Sequence, residues 1–529
     1  MEPSGESLWR KTGLKMAQEN LFAALRAAFP ANLDAVAVET DQGLNYTWRD
    51  LDRASAMMAN LLESLKLPKG SRIAVQVEKS VEAMMLYLAT LRAGYVFLPL
   101  NTAYQSAEIE YFIGNAEPAV VVCSGANFGW VSKIAFKSGT QHVFTLNDDR
   151  TGSLLERAAH HSDQHTPAKR SHDDLAAILY TSGTTGRSKG AMLSHQNITA
   201  NARQINMLDP HSAVNQPNGA ADDRILGVLP FFHVFANATV LNRTVANGGE
   251  IVMLPRFEAR AALAAINRTK VTSLPGVPTM YQALLDCPDV TKTDFTSLRA
   301  CISGGAPLAA ELKERFETVT GAVVIEGYGL TESSGVVSCN PYEGINKIGS
   351  IGQPVPGTDV KLVDKEDPSK PAPDGEPGEL VFSGPQTMCG YWNRKDADAE
   401  VFLGKYLRTG DVATIDEDGF IHIVDRLKDM IAVGGFKVFP SQVEDVLYKH
   451  PAVKEALVIG VPDAYLGEVP RAFVTLHDGA TEDDAELTAW LNPRLGKHER
   501  VQGVTILDVL PKTMIGKLDR KALRSAVGS

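Results

Sequence analysis

Along much of the chain, apolar runs of strand length alternate with segments of helical pattern. RIAVQV (72–77) leads into EAMMLYLATLRAG (82–94) and then VFLPL (96–100); AVVVC, LAAILY, RILGVLP, EIVMLP, KVTSLP, RACIS and AVVIEGYG continue the theme. Short unbroken apolar runs suit strands buried on both faces, so the alternation predicts an α/β fold of largely parallel sheets covered by helices.

Past Gly321 the texture changes. VKLVD, GELVFSG and FIHIVD are short and alternating, and the Pro-, Gly- and charge-rich tract DKEDPSKPAPDGEPGE (364–379) separates them, as expected of antiparallel strands joined by surface loops. The C-terminal part reads as self-contained. It holds a helix opening at PSQVEDVL, where Ser441 and Glu444 fit a capping box, strands in EALVIGV and RAFVTL, and a helix near 482–491. The expected division is an extension or expression scar at 1–15, a large lobe at 16–427 and a small domain at 428–529, with the boundary near Asp425, Arg426, Leu427 and Lys428. PHSAVNQPNGAADD (210–223) reads as an exposed loop.

A length of 529 residues allows one large lobe with a smaller partner, and 44% hydrophobic with 22% charged residues excludes a disordered or collagen-like chain. Lys and Arg number 52 against 63 Asp and Glu, a net charge of -11 without the basic footprint of a nucleic-acid binder. A polyanionic ligand must therefore be met by local charge. Cys123, Cys287, Cys301, Cys339 and Cys389 are scattered, with no C-x-x-C pair and no histidine clustering, which suggests a reducing compartment. The most apolar stretch, 81–100, is broken by Glu82 and Arg92, so no spanning helix is expected. MEPSGESLWRK lacks the charge and apolar core of a signal peptide, and AVGS is not a Ser-Lys-Leu address; the expected location is the cytoplasm.

The strongest chemical signal is TSGTTGRSKG (181–190), directly after LAAILY. Glycines let backbone N–H groups approach an anion, hydroxyls add donors, and Arg187 and Lys189 add charge, a combination suited to polyphosphate. It is not a Walker A loop, because Arg187 and Ser188 separate Gly186 from Lys189. Four more segments accompany it: SGGAP (303–307), GYGLTES (327–333), RTGDVATIDEDGFI with Thr409, Gly410 and Asp411, and DRLKDMI with GGFKVFP ahead of PKTMIGKLDR.

On these motifs, in order and spacing from about residue 20 to 520, the chain resembles the adenylate-forming superfamily of acyl-CoA synthetases, luciferases and nonribosomal peptide adenylation domains. The resemblance implies a large lobe of parallel βα subdomains plus a small antiparallel barrel, then a small mobile α+β domain. It implies ATP, Mg²⁺ and coenzyme A. Thr181, Ser182, Gly183, Thr184, Thr185, Gly186 and Lys189 would hold the β- and γ-phosphates. Gly304, Gly305 and Ala306 would form a wall against adenine, with Tyr328 on its other face and Gly329 beside it. Thr331 would touch the α-phosphate, Glu332 would hold Mg²⁺, and Asp411 would accept from the ribose hydroxyls with Arg426 nearby. Lys517, in P-K-x-x-x-G-K, would stabilise charge as a carboxylate attacks the α-phosphate. Lys428 would be the hinge, and Gly434, Gly435, Phe436 and Lys437 would line the pantetheine route. His233, in LPFFHVF, would sit beside the carboxylate; with no acid partner for an amine next to Phe232, amino acids are poor candidates.

For the acid itself, LYLATLRAG, FLPLNTAY and the segment around 174–195 look close to malonyl-CoA synthetases, while the later half is more similar to bacterial fatty-acyl or dicarboxylate CoA ligases. A second buried carboxylate needs a cation. Ala283 stands where the malonyl enzymes would carry an arginine, and 271–290 contains no Lys or Arg. The implied lining, Phe235, Met280, Leu330, Val336 and Val337, suits an alkyl or aryl tail, so a medium- or long-chain fatty acid is the expected substrate. The alternatives are a malonyl- or other dicarboxylyl-CoA synthetase using Arg243, an enzyme loading a carrier protein, a luciferase-like oxygenase, and a silent nucleotide-binding protein.

Overall fold

The computed structural model describes residues 20–181, 188–216, 223–434, 436–513 and 517–527. Ser182, Gly183, Thr184, Thr185, Gly186 and Gly435, named above as site residues, lie outside them. Two compact units form. One takes in the described residues as far as Ile348, with Gly352–Asp359 and Ser383–Val401; the other takes in Gly349–Ile351, Val360–Phe382 and the described residues from Phe402 onward, Lys428 among them.

The first unit contains two sheets. In the larger, parallel pairing runs from Val323–Leu330 through Ala300–Gly304, Ser273–Gly276, Arg224–Gly227 and Glu250–Met253 to Val36–Thr40. Antiparallel strands finish both ends, Gly335–Cys339 and Gln353–Pro354 at one and Asn45–Thr47 at the other. The second sheet orders His142–Thr145, Val120–Cys123, Arg72–Gln76, Val96–Pro99, Leu175–Tyr180 and Gly190–Ser194, parallel except for the last pair. These are the apolar runs of the sequence. The helix Val81–Arg92 between two of them is buried almost along its whole length, because helices and sheet both cover it.

SGGAP, LPFFHVF and 181–190 all follow the carboxyl ends of strands, where open α/β sheets place ligands. After LPFFHVF the chain makes an uncommon sequence of turns. The short helix Val234–Ala236 widens into a π-helix, Asn237–Asn242, and returns to α-form at Arg243–Asn247 before Gly248 ends it at φ +68°. The buried amides are satisfied internally: Tyr87 OH donates to Asn242 Oδ1 (2.9 Å), whose Nδ2 donates to Asn237 Oδ1 (2.8 Å).

The second unit contains an antiparallel sheet built on Gly378–Ser383, Tyr406–Ile415 and Ile421–Arg426, as the alternating pattern after Gly321 predicts. It also contains a sheet dominated by the antiparallel pair Val453–Asp463 and Gly467–Leu476, packed by helices Pro440–Leu447 and Asp484–Leu491.

Two sequence expectations need correction. Ser441 and Glu444 make no capping box. Ser441 Oγ donates to Val424 O (2.5 Å), and the Glu444 carboxylate accepts from Val458 N (2.7 Å) and Arg520 Nη2 (2.5 Å), tying the helix to a strand and to the C-terminal helix instead. Of the stretch 210–223, residues 217–222 lie outside the described residues, and the rest is not simply exposed. Ser212 is buried, its hydroxyl donating to Asn206 O (2.5 Å), and the flanking Asp209 and Asp223 are buried against Arg243.

Candidate active site

Leu175–Tyr180 and Gly190–Ser194 pair antiparallel, and at their ends Thr181 N donates to Lys189 O (2.8 Å) while Lys189 N lies 3.4 Å from Thr181 Oγ1. Gly190 is required sterically, since a Cβ there would lie 2.8 Å from Ile178 Cγ2. Tyr111 OH donates to Ser188 O (2.7 Å) and holds the returning arm. Lys189 Nζ lies 5.0 Å from the ring centroid of Tyr391 and 3.9 Å from Glu400.

Ala300–Gly304 and Val323–Leu330 run side by side, with Gly304 opposite Gly327, so the SGGAP and GYGLTES segments emerge together. Gly305 takes φ +85°, a backbone state that favours glycine. At Gly304 a Cβ would meet the Phe235 ring first, at 3.1 Å, so its smallness also serves the packing of that ring. Leu308 N approaches Glu326 Oε1 at 3.4 Å, and burial pushes this carboxyl up to about 7. Sequence reading missed Glu326, which looks like any acid before a glycine.

Thr331 and Glu332 sit in the 3₁₀ turn Thr331–Ser333. Ser333 Oγ accepts from Leu330 N (2.9 Å), and Ser334 Oγ donates to Gln386 O (3.0 Å). Residues 388–392 then brace the turn and the hairpin together. Met388 N donates to Glu332 O (2.8 Å), Trp392 N to Gly190 O (2.8 Å), and Tyr391 OH to Glu332 Oε1 (2.6 Å). Among the described residues no group of three His, Cys, Asp or Glu side chains is placed to hold a metal. One oriented carboxylate fits Mg²⁺ all the same, because this ion is ordinarily held by one or two carboxylates plus substrate phosphates.

His233 caps the helix that follows it, its Nδ1 accepting from Phe235 N (3.2 Å), which puts the proton of the neutral ring on Nε2. Phe235 and Met280 pack on one core cluster. Leu330 lies opposite Gly335 across the hairpin, and Val336 joins Ile205, Ala238 and Val355 in a neighbouring cluster. Val337 is fully buried and, one step along the strand from Val336, faces the other side of the sheet. Arg243 is fully buried and ion-paired with both Asp209 and Asp223, the latter at 3.1 Å. Two anions already surround its one charge.

In the second unit, Asp411 stands opposite Arg426 and its Oδ1 accepts from Arg426 Nε (2.7 Å). Gly410 precedes it at φ +72°, its N–H donating to the buried Glu379 (3.1 Å). The Lys517 carbonyl accepts from Thr513 N (2.7 Å). Burial, with the positive charge of Arg426, brings its ammonium down to about 8, while Asp411 opposes the shift. Lys428 lies in the 3₁₀ turn Leu427–Asp429. Gly434 adopts φ +57°, Phe436 is exposed and stacks on His498 with centroids 3.9 Å apart, and Lys437 pairs with Glu366 (2.7 Å).

Comparison with known proteins makes the chain an adenylate-forming acid–thiol ligase. The chain belongs to the AMP-binding enzyme family, whose model matches residues 25–392, and the AMP-binding enzyme C-terminal domain matches 442–517. It is 35% identical over 510 residues to the long-chain-fatty-acid–CoA ligase of Bacillus subtilis (strain 168), covering 91% of this chain and 90% of that protein. It is 36% identical over 491 residues to the feruloyl-CoA synthase of Amycolatopsis sp, covering 92% and 95%. Among solved structures it resembles ATP-bound MatB from Rhodopseudomonas palustris, with a TM-score of 0.90 and 38% identity over 96% of this chain and 98% of that one. No described helix is long and apolar enough to cross a membrane.

A pH dependence follows from Lys517. Its side chain is an ammonium below about 8 and neutral above, so if adenylation uses the charge, kcat/KM for that step should fall as pH rises past about 8. Acid-dependent pyrophosphate exchange measured from pH 7 to 9.5 checks this, and a level profile would show that the charge is dispensable.

Proposed function

We propose that the protein joins a medium- or long-chain fatty acid to coenzyme A through an acyl-adenylate, with Mg²⁺ accompanying the nucleotide. A carboxylate oxygen of the acid attacks the α-phosphorus of ATP, the bond to the β-phosphate oxygen breaks, and pyrophosphate leaves. The CoA sulfur then attacks the acyl carbon and AMP leaves. Lys189 and the hairpin would hold the phosphates, Thr331 the α-phosphate, and Glu332 the Mg²⁺, which offsets phosphate charge. Gly304, Gly305, Ala306, Tyr328 and Gly329 would take adenine, and Asp411 and Arg426 the ribose. His233 Nε2–H would face the acid, and Lys517 would stabilise the charge built up during the first attack. Lys428 would serve as the hinge between the half-reactions, and Gly434, Phe436 and Lys437 would flank the thiol's path. Five free cysteines fit work in the cytoplasm.

The observation that carries the substrate choice is the double commitment of Arg243 to Asp209 and Asp223. A diacid's second carboxylate would add a third anion to one cation, and 271–290 supplies no other. The resemblance of LYLATLRAG and FLPLNTAY to malonyl-CoA synthetases favours the competing reading, a dicarboxylate ligase. The two separate in a competition between octanoate and malonate for ATP and CoA, followed by AMP release and thioester analysis. Octanoate should win in kcat/KM by roughly 10² or more, the scale of one missing matched charge. A malonate preference overturns the assignment.

A further inference from the structure

Two loops that bear on the nucleotide, 181–190 and GYGLTES, come from different sheets, yet one side chain outside both touches each. Tyr391 donates its hydroxyl to Glu332 Oε1 at 2.6 Å and presents its ring to Lys189 Nζ at 5.0 Å from the centroid. We propose that Tyr391 is a positioning residue that sets the Glu332 carboxylate and the Lys189 ammonium for a magnesium–nucleotide. This rests on the reading that Glu332 meets Mg²⁺.

The tyrosine is fixed from several sides. Its own N–H donates to Asp398 Oδ1 (2.7 Å), and it bridges to Ala191 on the hairpin strand. Cys389 N donates to Met192 O and Met192 N to Gly390 O, at 2.8 and 2.9 Å, so residues 389–392 form a short antiparallel seam along Gly190–Ser194. Gly390, at φ +131°, lets the seam pass Asp398, whose Oδ2 would lie 2.9 Å from a Cβ there. Tyr391 is 6% exposed. Its hydroxyl occupies Oε1, so the other carboxylate oxygen is the one a metal would take, while the ring face lies against the lysine without neutralising it.

A buried tyrosine that only filled space would be replaced by phenylalanine without changing what magnesium does. Binding of a non-cleavable ATP analogue, measured by calorimetry over a series of Mg²⁺ concentrations, makes the distinction in wild type, Tyr391→Phe, Glu332→Gln and the double variant. Tyr391→Phe should raise the Mg²⁺ concentration needed for half-maximal enhancement of binding by about tenfold, as loss of an outer-shell partner does, and leave magnesium-free affinity unchanged. In the double variant the two effects should not add, because both act through one carboxylate. If Glu332→Gln leaves the magnesium dependence unchanged, the Glu332 reading itself fails. If Glu332→Gln shifts it and Tyr391→Phe does not, only the positioning role fails. Loss of magnesium-free affinity in a Tyr391→Phe protein that melts normally would make the residue a packing element and overturn the proposal.

Discussion

Lys517→Ala should lower acid-dependent pyrophosphate exchange by roughly 10² to 10³, the scale of removing one preorganised charge-stabilising group. Conversion of supplied acyl-adenylate to thioester should stay near the wild-type rate. The asymmetry follows from where charge builds. In the first half-reaction a carboxylate meets a triphosphate and pyrophosphate departs; in the second, sulfur attacks a carbonyl carbon with no pyrophosphate present. Burial already disfavours the Lys517 charge, so truncation should not lower the melting temperature. Both rates are measured on one preparation. If they fall together in a protein that melts normally, the lysine serves the fold of its loop and not the first attack.

Gly329→Ala should be the more damaging change to structure. A Cβ at Gly329 would lie 1.6 Å from the carbonyl oxygen of Gly335 and 3.0 Å from Val336 Cα, inside the irregular pairing of Val323–Leu330 with Gly335–Cys339. No rotamer relieves a clash with backbone. Gly335 is itself closely surrounded: at φ +140°, a Cβ of its own would lie 2.4 Å from Ala238 Cβ and Asn201 Oδ1. The hairpin must open, at a cost of about 4 kcal/mol or more, the range reserved for core disruption. Gly114→Ala is the matched control: it lies in helix Ser106–Ala116 with nothing within 4 Å of its Cβ, and should be neutral or stabilise by about 0.5–1 kcal/mol. Thermal and urea unfolding of both variants test the contrast. Equal melting would show that the hairpin yields.

The parallel strands were legible because burial on both faces leaves an unbroken apolar run, and the motif loops because glycine, hydroxyl and basic residues cluster locally. What escaped depends on partners distant in sequence. Tyr391 acts on Glu332, 59 positions away, and nothing near either residue announces the pair. Ser441 and Glu444 have the spacing of a cap, but Val424 O, Val458 N and Arg520 outcompete the local bonds. Val336 and Val337 read alike as apolar lining, and only strand alternation sets them on opposite faces. Glycine positions showed that space is needed without showing what fills it; at Gly304 it is in part Phe235.

The pairing of Arg243 bears on any attempt to re-engineer substrate choice. A guanidinium close to the aromatic helix of LPFFHVF invites recruitment as the anchor for a diacid, yet removing Asp209 or Asp223 to release it would strip a buried cation of a counter-charge, and breaking such pairs typically costs about 3–5 kcal/mol. A redesigned enzyme would need an imported charge. Ala283, half-buried on helix Pro278–Asp286, is a position where an arginine could be added without dismantling the Arg243 ion cluster.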